Sequence, residues 1–261
     1  MSSFDPSWLV PNWPAPAHVQ ACCTTRLGGV SQAPFASFNL GDHVGDDPLA
    51  VAENRRLLSL ALPNPPHWLT QTHSTQVNII TTPTANAVLP ADASVTQIPE
   101  AVCVVMTADC LPLLLTDQQG TVVAAVHAGW RGLCDGIIER TVAAMAVPAT
   151  TLLAWLGPAI GPNAFEVGAE VRAAFVAQAI EAEQAFIPQQ NWKYLADIYQ
   201  LARQRLQAVG VSNISGGTHC TVTDSERFFS YRRDGQTGRM ASCIWISAGT
   251  TELNHDLSTV S

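Results

Sequence analysis

Residues Val102 to Gly132 read VCVVMTADCLPLLLTDQQGTVVAAVHAGWRG. Two apolar runs rich in Val and Leu fill the segment, and runs of this kind read as buried strands. The first breaks at Thr107-Ala108-Asp109-Cys110. The second enters His127-Ala128-Gly129-Trp130-Arg131-Gly132. A carboxylate, a thiol and an imidazole do not stay in a buried strand unless they are paired or ligated. One strand pair is therefore expected to deliver Asp109, Cys110 and His127 to a single point. A further histidine, His73, stands upstream in Gln71-Thr72-His73-Ser74.

Outward from this segment, His18 to Thr25 (HVQACCTT) reads as a strand that ends in Arg26-Leu27-Gly28-Gly29-Val30-Ser31. The glycine pair suits a tight turn, whose N–H groups either approach an anion or close an ordinary hairpin. Asp47 as N-cap and Pro48 in the first turn open a helix to about Leu60, stopped by Pro63, Pro65 and Pro66. His67 to Ile80 holds a strand pair around His73, and Asp92 to Thr96 a turn leading to the central strands. Leu133 to Ala146 reads as a helix and Leu152 to Ile160 as a buried strand. Val167 to Phe186 and Trp192 to Val209 read as helices, with Gly210 as a C-cap. Ile214 to His219 reads as an inner strand and Met240 to Ser247 as a closing one. There is no internal repeat, no linker and no regular βαβ rhythm. The expected class is a mixed α/β (α+β) fold, one domain over 1–261 with a core of about 18–248 and short flexible ends.

Hydrophobic residues make up 47% and charged residues 13% of the 261, a balance that suits a large core. The net charge of −8 and the absence of a basic cluster argue against a nucleic-acid partner. The opening MSSFDPSWLVPNW has neither a basic nor an apolar leader region, and no apolar run reaches membrane-spanning length. A soluble cytoplasmic protein is expected. Seven cysteines without framework spacing read as core residues, ligands or nucleophiles rather than disulfides. Cys22, Cys23, Cys103 and Cys243 lie in apolar runs and read as core. No CxxC is present, which argues against a structural zinc finger.

His73, Cys110 and His127 together make three N/S ligands, and three protein ligands with an open fourth position is the pattern of a catalytic zinc site. The same residues serve a metal-free reading, with Cys110 as a nucleophile activated by a histidine and Asp109 orienting the imidazole. A core thiol with two hydrogen-bonded histidines is the third reading. Gly129-Trp130-Arg131-Gly132 stands between strand and helix, where N–H groups and a guanidinium meet phosphate. Arg131 equally reads as a partner of Asp135. Arg26, Arg232 and Arg233 are further candidate anion binders or plain surface arginines. Asp224, Glu226 and Arg227 read as a charged loop.

TTRLGGVS, FNLGDHVGDD, TQTHS, TADCLPLLLTD, AAVHAGWRGL, GPAIGPNAFEVG and FFSYRRDGQTGRMAS resemble the YfiH-type family, also called the laccase-domain or multicopper polyphenol oxidase family. The resemblance runs from about Thr24 to Ile246. It implies a single mixed α/β domain similar to the toxin-type cysteine deamidases, with His73, Cys110 and His127 as ligands of a metal, usually zinc. It also implies phosphorolysis of adenosine, inosine, guanosine and methylthioadenosine to base and ribose 1-phosphate, and deamination of adenosine. Asp109 would move protons. Arg26 of the TTRxGG motif, Asn39, Arg131 and Arg232 would contact substrate or phosphate. The expected partners are purine nucleosides and phosphate, with no nucleic acid and no membrane, on a monomer or weak homodimer. Two alternatives accompany this: a Cys-dependent hydrolase acting on cell-wall precursors, since some members are labelled peptidoglycan editing factors, and a mononuclear copper polyphenol oxidase. A multicopper centre is not supported, because the chain has 7 histidines and no HxH pair.

Overall fold

The computed structural model of the chain describes residues 4–84 and 87–248. The end segments expected to be flexible lie partly outside them, at 1–3 and 249–261. Val102 to Gly132 contains three strands: β6 (Cys103–Thr107), β7 (Leu111–Asp117) and β8 (Val123–Ala128). β7 and β8 pair antiparallel, with Pro112 opposite His127. β6 does not join them. It pairs with β14 (Met240–Ile246), which pairs with β1 (Val19–Cys23), giving a three-stranded antiparallel sheet. Thr107-Ala108-Asp109-Cys110 is thus the crossing from one sheet to the other.

The larger sheet has six strands in the order β13 (Asn213–Gly216), β9 (Leu152–Leu156), β7, β8, β5 (Ala93–Thr96) and β3 (Val77–Ile80). Its outer pairs, β13 with β9 and β3 with β5, are parallel; the inner ones are antiparallel. β2 (Leu69–Thr70) pairs only with β4 (Leu89–Pro90). β10 (Glu166–Gly168), β12 (Lys193–Ala196) and β11 (Phe186–Pro188) make a small separate sheet.

Every residue of β6, β7 and β8 is buried, because both faces of their sheets are covered. Successive side chains of a strand point to opposite faces. Leu111, Leu113 and Leu115 pack with Ile137, Val142, Phe175 and Leu206 of the helical layer, whereas Leu114 packs with Cys103, Val105 and Ile244 of the smaller sheet. The far face of that sheet, with Cys22, Val104 and Cys243, is covered by Trp8, Phe38 and Leu58. The layers run from α1 (Pro48–Ser59) through the small and large sheets to α2 (Trp130–Asp135), α3 (Ile137–Met145), α4 (Ala169–Gln178) and α5 (Ile198–Ala208). A last short helix, α6 (Tyr231–Asp234), precedes β14. No helix among the described residues is long and apolar enough to cross a membrane.

Several expectations are met. Asp47 caps α1 by accepting from the Leu49 N–H, with Pro48 in its first turn. The four cysteines read as core are fully buried. Others are corrected. Asp92 to Thr96 is not a turn: Ala93–Thr96 is a buried inner strand. The strands flanking His73 do not pair with each other, since β2 and β3 belong to different sheets. Trp192 to Val209 is a strand and then a helix, split where the Asp197 side chain accepts from the Tyr199 and Gln200 N–H groups. The expected helix 167–186 is α4 between two short strands, with a 3-10 turn at Ile180–Ala185. The helix after HAGWRG breaks at Gly136, which takes a left-handed conformation at φ 99°. Periodicity passed over these breaks because short apolar runs fit strand and helix alike, while the Asp197 cap and the Gly136 turn act at single residues.

Leu114 of β7 packs in the cluster between the two sheets. Leu114→Ala should cost about 2–5 kcal/mol in urea unfolding, the range for a truncated core leucine. A loss under about 1 kcal/mol would place that interface elsewhere.

Candidate metal centre and its cavity

The ligand atoms of His73, Cys110 and His127 lie within 4.8 Å of one another. Cys110 Sγ is 3.7 Å from His73 Nε2, and the two imidazole rings meet edge to face with centroids 4.8 Å apart. Each comes from a different element. His73 sits in the loop between β2 and β3, Cys110 at the sheet crossing, and His127 near the end of β8. His127 is buried, Cys110 half-buried and His73 exposed. Among the described residues this is the one group of three or more such side chains with metal-binding geometry.

The residue that assembles the group is Asp92, which sequence reasoning placed in a turn. It is fully buried. The Thr72, His73 and Ser74 N–H groups donate to its carboxylate at 3.2, 3.0 and 2.6 Å, and the Ser74 hydroxyl donates at 2.7 Å. His127 Nδ1–H donates to Asp92 Oδ1 at 2.8 Å, and the His127 N–H donates to the Asp92 carbonyl at 2.7 Å. An ionised carboxylate only accepts, so His127 carries its proton on Nδ1 and turns Nε2 to the cluster. Burial alone would push the Asp92 carboxyl up. The hydrogen bonds from His127 and Ser74 outweigh it and hold the group far below the usual carboxylate range. The only sequence signal was an acid just ahead of an apolar run.

The same competition operates at Cys110. Burial raises a thiol, but the charge of His127 and hydrogen bonds with His127 and His73 bring Cys110 down to about 6. Burial would lower His127, but the Cys110 thiolate and Asp92 raise it to about 9. Before any metal is bound, the pair is a thiolate and an imidazolium between those limits.

Glycine is required at 129 by close approach. A Cβ there would lie 2.7 Å from His73 Cδ2 and 3.1 Å from Cys110 Sγ. Gly129 is the N-cap of α2, and Arg131 stacks its guanidinium on the Trp130 ring at 4.5 Å. The HAGWRG segment therefore shapes the ligand cluster. Gln71 fastens the His73 loop to β6 by a paired amide: its Nε2 donates to the Met106 carbonyl at 2.8 Å and its Oε1 accepts from the Met106 N–H at 2.7 Å.

The cluster opens into a cavity of about 360 Å³ lined by His43, Gln71, His73, Met106, Thr107, Ala108, Cys110, His127, Tyr231 and Arg239. Of the predicted residues, the structure brings together His73, Cys110 and His127. The others lie outside this lining. Asp109 accepts from the Thr221 hydroxyl at 2.6 Å and from the Arg232 N–H at 2.7 Å. Arg26 donates to the Ala36 and Ser225 carbonyls at 3.0 Å each and lies over the Phe229 ring. Arg232 donates to the Ala164 and Glu166 carbonyls. Asn39 is buried, its amide bonded to Gly41, Asp46 and the Arg239 N–H. The turn at Gly28-Gly29 spends the Gly29 and Val30 N–H groups on Ser37 and Asn54. Sequence reasoning missed His43, Tyr231 and Arg239 as cavity residues. His43 and Arg239 lie within the motifs FNLGDH and TGRMAS, and Tyr231 within FFSYRR.

The stacked two-sheet α/β fold presents, among the described residues, an N/N/S cluster at a cavity with the donor set of a metal site. The chain belongs to the family described as multi-copper polyphenol oxidoreductase laccase, whose model matches residues 20–247. A Pseudomonas aeruginosa protein named purine nucleoside phosphorylase is 57% identical over 241 residues, 92% of this chain and 98% of the relative. The Escherichia coli protein named purine nucleoside phosphorylase YfiH is 58% identical over 241 residues, 91% and 98% of the two chains. Among solved structures, a Neisseria meningitidis protein superposes with a TM-score of 0.87 at 50% identity, over 93% of this chain and all of that one. YlmD from Geobacillus stearothermophilus gives 0.84 at 30%, over 92% and 96%.

Asp92→Asn keeps the shape but removes the charge that orients His127. Metal affinity measured by chelator competition should fall by roughly 10–100-fold, the range for lost outer partners of a ligand; unchanged affinity would sink the assignment. In metal-free protein, alkylation of the Cys110 peptide by iodoacetamide, followed by mass spectrometry, should rise with pH through a midpoint near 6. Added zinc should suppress it, and a midpoint at the ~8.5 of a free thiol would show that no such pair exists.

Proposed function

We propose that this protein is a metal-dependent purine nucleoside phosphorylase. With inorganic phosphate it releases base and ribose 1-phosphate from adenosine, inosine, guanosine and methylthioadenosine, and it deaminates adenosine in the same cavity. The observation that carries the reading is the convergence of His73, Cys110 and His127 on one cavity, in a chain 57% identical to a relative named for this activity.

The donor set fits a metal. Two imidazoles and a thiol held as thiolate are the three-ligand donor set found at catalytic zinc sites, and His73, Cys110 and His127 would hold the ion; a single copper is the alternative occupant. Zinc held there supplies a Lewis acid that polarises an oxygen of substrate or water. The rest falls to the chain. A cavity of about 360 Å³ lies within the roughly 300–1,000 Å³ of small-molecule sites. Met106, Ala108 and the exposed Tyr231 offer apolar surface to a purine. In phosphorolysis a phosphate oxygen bonds C1′ as the C1′–N9 bond breaks, and the departing base takes up a proton. Asp109 acts as a positioning residue, its carboxylate tying the N–H of Arg232, next to Tyr231, to the turn that carries Cys110. The enzyme works in the cytoplasm as a monomer or weak dimer, on purine nucleosides and phosphate rather than on nucleic acid or membrane.

A second reading has its own observation. A thiolate beside an imidazolium is what a nucleophilic cysteine requires, so a Cys110-dependent hydrolase of cell-wall precursors fits the metal-free geometry.

Purified protein with zinc, inosine and phosphate should release hypoxanthine. His73→Ala, Cys110→Ala and His127→Ala should each lose metal by elemental analysis, and turnover by more than the roughly 100-fold at the upper end for an outer partner. No hypoxanthine from the wild type would sink the phosphorylase reading. Hydrolysis that survives chelation but not Cys110→Ala would establish the second.

A further inference from the structure

A phosphorylase must hold a phosphate dianion beside the reacting sugar, and the chain carries a net charge of −8. The binding cation has to be local to the cavity. The arginines that sequence motifs suggest lie outside the cavity lining: Arg26 and Arg232 bind backbone carbonyls, and Arg131 stacks on the Trp130 ring. Arg233 binds the Thr221, Val222 and Phe228 carbonyls and pairs with Asp234. Arg55 pairs with Asp42 and donates to the Leu40 carbonyl.

Arg239 is different. It is the arginine among the cavity-lining residues. Its Nη1 donates to the Thr237 and Gly238 carbonyls at 3.0 Å each, which fixes the plane of the guanidinium. Its Nε and Nη2 form the free edge of the fork, and among the described residues that edge has no hydrogen bond and Arg239 no ion pair. Two N–H groups side by side on one rigid edge match two oxygens of a phosphate.

The side chain is also built into place. Its own N–H donates to Asn39 Oδ1 at 2.9 Å, and its carbonyl accepts from the Leu40 N–H at 3.2 Å. A Cβ at position 41 would lie 2.8 Å from Arg239 Cγ, so Gly41 makes room for the arginine stem. Asn39 and Gly41 are positioning residues, which explains the FNLGDH motif without any contact from Asn39 to substrate. Burial lowers Arg239 from its usual value, opposed by the negative charges of Cys110 and Asp109.

We propose that Arg239 binds the phosphate cosubstrate through its Nε/Nη2 edge, held in that pose by Asn39 and Gly41; this rests on the phosphorylase reading above. The test compares zinc-loaded wild type with Arg239→Gln and Arg239→Lys. In inosine phosphorolysis with phosphate varied, Arg239→Gln should raise the phosphate KM by roughly 10–100-fold, the worth of a charge-assisted hydrogen-bond pair. Its inosine KM should stay within about threefold of wild type. Arg239→Lys keeps the charge without the fork and should fall between. An unchanged phosphate KM, or equal rises in both KM values, would overturn the proposal.

A second arm needs no turnover. Millimolar phosphate should raise the melting temperature of wild type and not that of Arg239→Gln, whose phosphate-free melting curve shows whether it folds. No shift in wild type overturns the phosphate site. A shift in wild type that Arg239→Gln abolishes, with no hypoxanthine formed by either, supports the anion site and sinks the phosphorylase reading instead.

Discussion

Asp92 carries a buried negative charge at the start of an inner strand, and it is neutralised entirely by groups that belong to the site. A carboxylate removed from water must be met by donors or it protonates. Here the donors are three successive backbone N–H groups of the His73 loop, the Ser74 hydroxyl and the His127 ring. One ion therefore sets the conformation of the loop that offers His73 and the tautomer and tilt of His127. The loop has no regular secondary structure of its own; the Gln71 amide ties its start to β6, and the Asp92 charge holds the residues around His73 itself.

The second constraint is the crossing between sheets. β6 and β7 are adjacent in sequence yet lie in different sheets, each buried on both faces. The chain must turn sharply between them within a few residues. Asp109 takes φ 87° and His73 φ 60°, both in the left-handed region that non-glycine residues enter sparingly. Asp109 is supported there by Thr221 and the Arg232 N–H, and the Asp109 carbonyl accepts from Ile160. Conformations of this kind persist when their surroundings over-determine them, and they gather at functional sites. The sharp turn is what aims the Cys110 thiol out of the sheet and into the cavity.

The arginines show how the long loops are held. Arg26, Arg232 and Arg233 each reach across to carbonyls distant in sequence. A guanidinium with five donors satisfies several loop carbonyls at once, which suits a chain with 17 Gly and 17 Pro and much irregular backbone. Residues that look like anion binders in sequence are thereby staples in three dimensions. Arg239 departs from them because it lines the cavity, with its Nε/Nη2 edge free of hydrogen bonds among the described residues.

The apolar runs of Val102 to Gly132, the Asp47-Pro48 helix start and the core cysteines were legible from sequence, because burial and capping are local, periodic properties. So were the family and the three residues that converge on the cavity, through motifs carrying Cys110, His127 and His73. The sequence did not disclose that β6 and β7 part company, that Asp92 opens a buried strand, or which arginine faces the cavity. Strand partners, buried carboxylates and the free edge of a guanidinium depend on groups far apart in the chain. Asp92 meets His127 across 35 residues, and Arg239 meets Asn39 across 200. The sequence motifs determined the family and which donor groups the chain carries. Only the tertiary hydrogen bonds decided which charges are committed to the fold and which are left to the cavity.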